Sequence, residues 1–431
     1  MICENVTRDV NGALCFGGAN VNVLADKYGS PIYLMDEERI RANCRIYTDA
    51  MRKYFGESAI PLYAGKAAAF KEMYRIVNDE NMGIDVVSSG EIYTAKSVDF
   101  PMERAYFHSN NKTDEDIRYA IECGVGHFVV DNIEELTAID DIAAYFGRIQ
   151  PILLRLTPGI DPHTYEAVST GKVDSKFGTA IETGQAAEIV GATLRCSHIR
   201  LDGFHCHVGS QVFDSDSFFK ASEIMLDFIA EMKHKFGYIA RELDLGGGYG
   251  VRYVESDPVI NISDNIRQVA DYIHHKCAEL AIDEPAIRME PGRSIVADAG
   301  MTVYTVGTVK RIPGYKNYVS VDGGMTDNPR FALYSSDYTV LPVISTEDTE
   351  MTCSVVGRCC ESGDIIQENV KLSDNTCRGD RIAVLTTGAY NYSMASNYNR
   401  IARLPIIMIN DGKDRLVVRR ESLEDLVRND I

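Results

Sequence analysis

No run of about 18 consecutive apolar residues occurs anywhere in the 431-residue chain, so the sequence offers no transmembrane helix. Basic residues are scarce: 44 Lys and Arg face 63 Asp and Glu, a formal charge of −19. That balance argues against a nucleic-acid or anionic-membrane surface, because both need a basic footprint. A small-molecule partner is the expectation. The first residues, MICENVTRDVNG, put acids where a signal peptide needs a basic stretch followed by an apolar one. The eleven cysteines are odd in number and hold no C-x-x-C pair, so the spacing of a disulfide framework or a thiolate zinc site is missing. These absences point to a reducing cytoplasm. What remains is an ordinary globular composition, 45% apolar, with a length near three times the usual domain of ~150 residues.

From about residue 60 the sequence repeats one unit: a short apolar run, a small or polar turn, and a helix start. Runs at 60–63, 84–87, 105–107, 128–130, 152–156, 201–204, 243–245 and 287–289 make eight. Helix caps are legible behind several of them. Ser88 with Glu91, Thr113 with Asp116 and a later Gly124, and Asn132 with Glu135 each fit an N-cap followed by an acid three residues on. Eight such units with strands apolar on both faces predict an α/β fold, a (β/α)8 TIM-like barrel, against an open doubly wound sheet of similar pattern. The spacing is roughly 20 to 25 residues for the first five runs and roughly 40 to 50 afterwards, which predicts insertions in the later loops. One of these holds STGKVDSKFG, 169–178. After Pro291 the texture changes, with β-rich runs at 301–312, 318–321, 353–356, 365–372 and 381–385 and few helical patterns. The first 36 residues look extended rather than helical. The expected organisation is a barrel over 37–291 and a mostly β domain formed by 1–36 and 292–431.

Barrel active sites lie at the C-terminal ends of the strands, so the polar residues after each run are read first. Lys66, in PLYAGKAAAF, stands between Gly and Ala where it cannot easily reach water. It is either a lysine snorkelling to the rim or an amine of lowered pKa, available for a Schiff base. Asp85 closes the second run before an SSGE turn, where it either pairs with a neighbour or serves the site. The sixth run leads into HCHVGSQ, whose His205 and His207, two apart on a strand, share a face. Such a pair also begins the binuclear site of metal-dependent barrel hydrolases, which needs further His or Asp ligands at later strand ends. The seventh run offers Gly246, Gly247 and Gly248 instead, and the eighth Glu290 and Arg293, so no metal is expected. Three glycines after a strand let bare backbone amides approach an anion, and Ser210 adds a hydroxyl: together a phosphate cradle. A lysine for a Schiff base, glycines for a phosphate and an acid for a ring nitrogen are what pyridoxal 5'-phosphate requires. In that reading Glu290 keeps the pyridine nitrogen protonated and His207 lies on the ring face.

The segments YAGKA, DVVSSGE, STGKVDSKFG, HCHVGSQ, LDLGGGYG, EPGRSIV, VDGGMTDNPRFALY, CESGD and GAYNYSMASNYN run in order along nearly the whole chain. They resemble the diaminopimelate decarboxylase family, fold-type III pyridoxal-phosphate enzymes related to ornithine and arginine decarboxylases. The resemblance implies an alanine-racemase-like barrel, a β domain built from both termini, and a homodimer with active sites at the subunit interface. It implies Lys66 as the Schiff-base lysine and His207 as the stacking residue. Asp85, Ser210, Gly246 to Gly248, Glu290, Gly292, Arg293 and Tyr390 complete the implied cofactor site. Arg293, Arg330, Tyr334 and Tyr390 match positions that hold the distal carboxylate of meso-diaminopimelate, a group whose geometry suits a guanidinium fork. Glu361 is implied to take the distal ammonium and Cys360 to return a proton to the decarboxylated carbon, both reaching in from the partner subunit. The chain departs from the family at Ala68, where members often carry Asn, at RFALY in place of RPALY, and at Cys359, a second thiol beside Cys360. The implied reaction is decarboxylation of meso-2,6-diaminopimelate to L-lysine. Its alternatives are a sister activity on D-lysine or D-ornithine and a non-catalytic regulator, which would typically lack Lys66 or Cys360.

Overall fold

The computed structural model describes residues 2–160 and 175–431, and its contacts divide the chain into two compact units. One comprises Asn43–Gly250 and Val259–Gly292; the other comprises Met1–Ala42, Val251–Pro258 and Arg293–Ile431.

The first unit holds eight parallel strands: β1 (Ile60–Ala64), β2 (Gly83–Val86), β3 (Ala105–Phe107), β4 (His127–Val130), β5 (Gln150–Thr157), β6 (Ile199–His205), β7 (Glu242–Asp244) and β8 (Ala286–Met289). Each pairs with its sequence neighbours, and β8 returns to β1 through Arg288 opposite Ile60 and Met289 opposite Pro61, so the sheet closes. The open-sheet alternative is thereby excluded. Every residue of β2 and β3 is buried, the pattern of strands covered outside and filled inside. Leu62, Tyr106, Val129 and Leu153, from β1, β3, β4 and β5, pack together as one cluster, each side chain contributing roughly 1.5 to 3 kcal/mol by burial. Glycine is required where β6 passes β7: a Cβ on Gly203 would lie 1.8 Å from the Glu242 carbonyl oxygen.

Helices start where the caps predict. The Ser88 side chain accepts from Glu91 N, that of Thr113 from Asp116 N and that of Asn132 from Glu135 N. Of these three, only Thr113 closes the reciprocal box, and its helix ends at Gly124 in the left-handed conformation (φ 78). Glu91 instead accepts from Val87 N at 2.6 Å, and Glu135 is drawn 2.7 Å from the buried Lys112 ammonium. The wide spacing after β6 comes from long helices as much as from loops, since Asp216–Phe236 has 21 residues and Ile262–Leu280 has 19. Of STGKVDSKFG, residues 169–174 lie outside the described residues, and 175–178 lead into Thr179–Ala180, which pairs with β5.

The second unit is mostly β. Its large sheet runs Ile365–Ser373, Glu350–Val356, Asn317–Val321, Gly300–Arg311, Ile32–Asp36, Ile406–Asn410 and Lys413–Val418, with Arg381–Leu385 and Val340–Pro342 branching from Gly300–Arg311. Val251–Pro258, expected with the barrel, groups with this unit because Tyr253 packs into its core against Tyr338, Val319 and Ile382. The N-terminal stretch is not wholly extended. Val21–Tyr28 is a helix whose cap, Asn20, accepts from Asn22 N and Val23 N and whose Val21, Leu24 and Ala25 are buried. A well-placed Asn cap and a buried face outweigh the β-branched residues that made the segment look like strand. Among the described residues no helix is long and apolar enough to cross a membrane.

Candidate active site

The strand ends of the barrel bring a set of charged groups together. Past β1 the chain turns through Gly65–Ala67 with both small residues buried and the Lys66 side chain exposed. This corrects the expectation that Lys66 cannot easily reach water: its neighbours pack inward and leave the lysine projecting from the strand end. Asp85 lies within β2, His108 follows β3, His205 ends β6, Asp244 ends β7 and Glu290 follows β8, and all are buried. His108 Nε2 stands 2.7 Å from Glu290 Oε1 and 3.9 Å from Asp85 Oδ1, while His205 Nε2 stands 3.4 Å from Glu290 Oε2. The two imidazoles meet edge to face with centroids 4.9 Å apart. Because β6 stops at His205, His207 lies beyond the strand, half-buried, and the same-face argument from the sequence does not extend to it.

Burial raises the pKa of every carboxyl in this group, and the neighbours then separate them. Burial and, to a lesser degree, the charge of Glu290 keep Asp244 well above the ordinary range. Burial takes Asp85 up to about 6, against the pull of His108. For Glu290 the effect of burial is overcome by His108 and His205, which hold it well below the usual carboxylate range. His207 is pushed well down, first by burial and then by the charges of Lys66 and Arg155. The cluster therefore sets a carboxyl whose pKa is held low, Glu290, beside one whose pKa is pushed up, Asp244.

The expectation that later strand ends supply no metal-type ligands needs correction, because ligand-capable atoms of His108, His205, Asp244 and Glu290 lie within 4.8 Å of one another. Ligand atoms on one tetrahedral ion stand about 3.3 Å apart, from bonds of about 2.0 Å. The 2.7 Å between His108 Nε2 and Glu290 Oε1 is shorter than that spacing.

A pyridoxal cofactor fits these residues. Asp85 Oδ1, His108 Nε2, His205 Nδ1, Asp244 Oδ2 and Glu290 Oε1 are buried atoms without hydrogen-bond partners among the described residues. So many unsatisfied atoms in one place call for a polar guest. At the neighbouring turn, Gly246 (φ +69) and Gly248 (φ +138) adopt glycine conformations, and a Cβ on Gly247 would lie 2.0 Å from the Glu290 carbonyl oxygen. The Gly247 and Gly248 amides donate to no acceptor among the described residues, which leaves them for an anion. Ser210 is half-buried in the loop after β6, and Gly292, also buried, packs against Ala64.

In the β-rich unit the sequence candidates divide. Arg293 and Arg330 are buried among tyrosines: Arg293 Nη1 donates to Tyr253 Oη at 2.7 Å, and Arg330 donates to Tyr338 Oη at 2.9 Å and Ser336 Oγ at 3.2 Å. The Tyr390 ring lies 4.9 Å from the Arg293 guanidinium and 5.8 Å from that of Arg330. Burial alone would raise the Tyr253 hydroxyl, but the two guanidiniums hold it below its usual value. Arg330 pairs with no carboxylate among the described residues, so its buried charge has hydroxyl partners, Tyr338 and Ser336, and no counter-ion there. Tyr334 is not part of this group. It ends the single-turn helix Arg330–Tyr334 at 38% exposure, and the reversal at Ser335 (φ 51) gives Tyr338 the contact with Arg330. Cys360 and Glu361 sit in an exposed loop anchored by Asp364, whose Oδ2 accepts from Cys359 N at 2.7 Å, and by Asn399, which accepts from Cys360 N at 2.8 Å. Burial, then the charge of Asp364, pushes the Cys359 thiol up to about 12, so it stays protonated.

A cavity of about 580 Å³ lined by Ile199, Arg200, Leu201, Phe236, Tyr238 and Arg241 opens at the start of β6, the end remote from His205. That face of a barrel serves stability rather than chemistry. His108, Asp244, Tyr253 and Tyr338 were not singled out from the sequence.

A closed parallel barrel whose strand ends carry a lysine, an anion-ready glycine turn and an ionised carboxylate is the architecture of a pyridoxal-dependent enzyme. Residues 38–297 match the family model described as pyridoxal-dependent decarboxylase, pyridoxal binding domain. Over the full length, the chain is 40% identical to the diaminopimelate decarboxylase of Bacillus subtilis across 98% of this chain and 96% of the relative. It is 41% identical to that of Staphylococcus aureus across 99% of both. The crystal structure of diaminopimelate decarboxylase from M. jannaschii in co-complex with L-lysine superposes with a TM-score of 0.92 at 31% identity, covering 100% of this chain and 98% of that one. The chain belongs to the diaminopimelate decarboxylase family.

Proposed function

We propose that this protein uses pyridoxal 5'-phosphate to convert meso-2,6-diaminopimelate to L-lysine and carbon dioxide, the last step of lysine biosynthesis. It works in the cytoplasm as a homodimer with shared active sites. The observation that carries the substrate is Arg330, a buried guanidinium with tyrosine and serine partners but no carboxylate among the described residues. A substrate ending in a bare amine leaves that charge unanswered, whereas a distal carboxylate satisfies it.

Lys66 would hold the cofactor, which when bound would supply an electron sink for cleavage next to the substrate amine. The chain does the rest. Gly246 to Gly248 and Ser210 would bind the phosphate, with Asp85 and Gly292 lining the cofactor's place. His207 would hold the ring from one face. Glu290, kept ionised by its histidines, holds a proton at the pyridine nitrogen. Arg330, Arg293 and Tyr390 hold the carboxylate that is not lost, and Glu361 of the partner subunit takes the distal ammonium. Cys360 of the partner subunit delivers a proton to the carbon that has lost carbon dioxide.

Purified protein loaded with cofactor should release carbon dioxide and L-lysine in equal amounts from meso-diaminopimelate. Its kcat/KM on D-lysine and D-ornithine should be lower by on the order of 100-fold or more, since those substrates leave Arg330 unpaired. Faster release from either D-amino acid would transfer the assignment to the sister activity, and no release from any of the three would mark a non-catalytic relative.

A further inference from the structure

We propose that His108 is a positioning residue that sets the charge on the cofactor's ring nitrogen, acting through Glu290. The inference rests on the reading that Glu290 faces that nitrogen. His108 is 5% exposed and places Nε2 2.7 Å from Glu290 Oε1, closer than His205 comes to the same carboxylate at 3.4 Å. The residue is built in from behind. Ser109, its neighbour, has φ +133, a conformation that L-residues rarely adopt and that persists only when the surroundings impose it. The Lys112 ammonium ties the same turn: Nζ donates to Ser109 O at 3.2 Å, to Val129 O at 2.7 Å and to Glu135 Oε1 at 2.7 Å, with the lysine side chain fully buried. A buried ion pair and a strained residue thus hold one short turn, and the side chain that this turn presents is an imidazole whose Nε2 lies 2.7 Å from Glu290 Oε1.

The chemistry follows from the charges around that carboxylate. Asp85 and Asp244 flank it, Lys66 and Arg155 lie further out, and His205 shares it with His108. In a buried site with two other acids, a carboxylate that loses its nearest polar partner takes up a proton more readily. A neutral Glu290 no longer holds a proton on the pyridine nitrogen, and the ring then accepts electrons poorly. His108 need not touch the substrate for this.

The test compares His108→Phe, which removes both ring nitrogens, with His108→Gln, which keeps a donor. The protein is loaded with cofactor labelled with 15N in the ring, and the chemical shift of that nitrogen reports its protonation. Borohydride labelling of Lys66 checks loading. His108→Phe should still be labelled at Lys66, keep KM within about threefold, lose at least about 30-fold in kcat, and show the ring nitrogen in its unprotonated position. His108→Gln should recover at least about tenfold of that loss and move the shift back toward the protonated position. A ring nitrogen that stays protonated in both variants overturns the proposal, whether or not kcat falls, because a fall without a shift is a packing effect. If His108→Phe does not fold, His108→Ala takes its place, and a ring nitrogen that stays protonated in that variant, on protein labelled at Lys66, overturns it. Failure to label Lys66 in the wild-type protein would instead refute the cofactor assignment on which the inference rests.

Discussion

Mixing Lys66→Ala subunits with Cys360→Ala subunits should restore activity from near zero toward about a quarter of wild type. Lys66 stands at a strand end of the barrel and Cys360 in an exposed loop of the β-rich unit. With the proposed sharing of sites across a homodimer, each variant alone is defective in both of its sites. A mixed dimer has one site carrying both defects and one carrying neither. Random pairing of equal amounts makes about half the dimers mixed, and half of their sites are intact. The experiment needs subunit exchange, followed by mass measurement on tagged subunits. If exchange is complete and activity stays at the level of the separate variants, Cys360 acts within its own subunit or is not essential.

Arg330→Ala should lose on the order of 2 to 5 kcal/mol of transition-state binding with meso-diaminopimelate, roughly 30- to 5,000-fold in kcat/KM, while keeping the cofactor's colour. The size follows from the setting. Arg330 is buried, its fork already donates to Tyr338 and Ser336, and a substrate carboxylate arriving there finds a desolvated cation. Arg330→Lys keeps the charge but loses the planar fork, so it should fall between wild type and alanine. Near-normal kinetics in Arg330→Ala, with the thermal midpoint unchanged, would remove the carboxylate receptor from the account.

The barrel was legible because its signals are local. A strand buried on both faces is an apolar run, and a cap such as Thr113 with Asp116 marks the next helix, so the run expected at 105–107 is β3 itself. The site was legible only where one residue carries its own signal. Lys66, the three glycines and Glu290 each follow a run, whereas the partners of Glu290 come from β3 and β6, and barrel closure rather than sequence spacing brings them together. His108 was within reach of the strand-end rule, being the polar residue directly after β3. Asp244 was hidden because it falls inside an apolar run, and Tyr338 because a one-turn helix ending in a left-handed residue carries no period to follow. The exposure of Lys66 was misread for a similar reason, since small neighbours report on their own burial and not on where a long side chain points.

Reduction of the cofactor-loaded wild-type protein with borohydride, followed by peptide mass spectrometry, identifies the lysine that holds the cofactor. A phosphopyridoxyl group is expected on the peptide containing Lys66, with loss of the yellow absorbance. The label on Lys172 or Lys176 instead, or no label on protein that binds the cofactor, would contradict it.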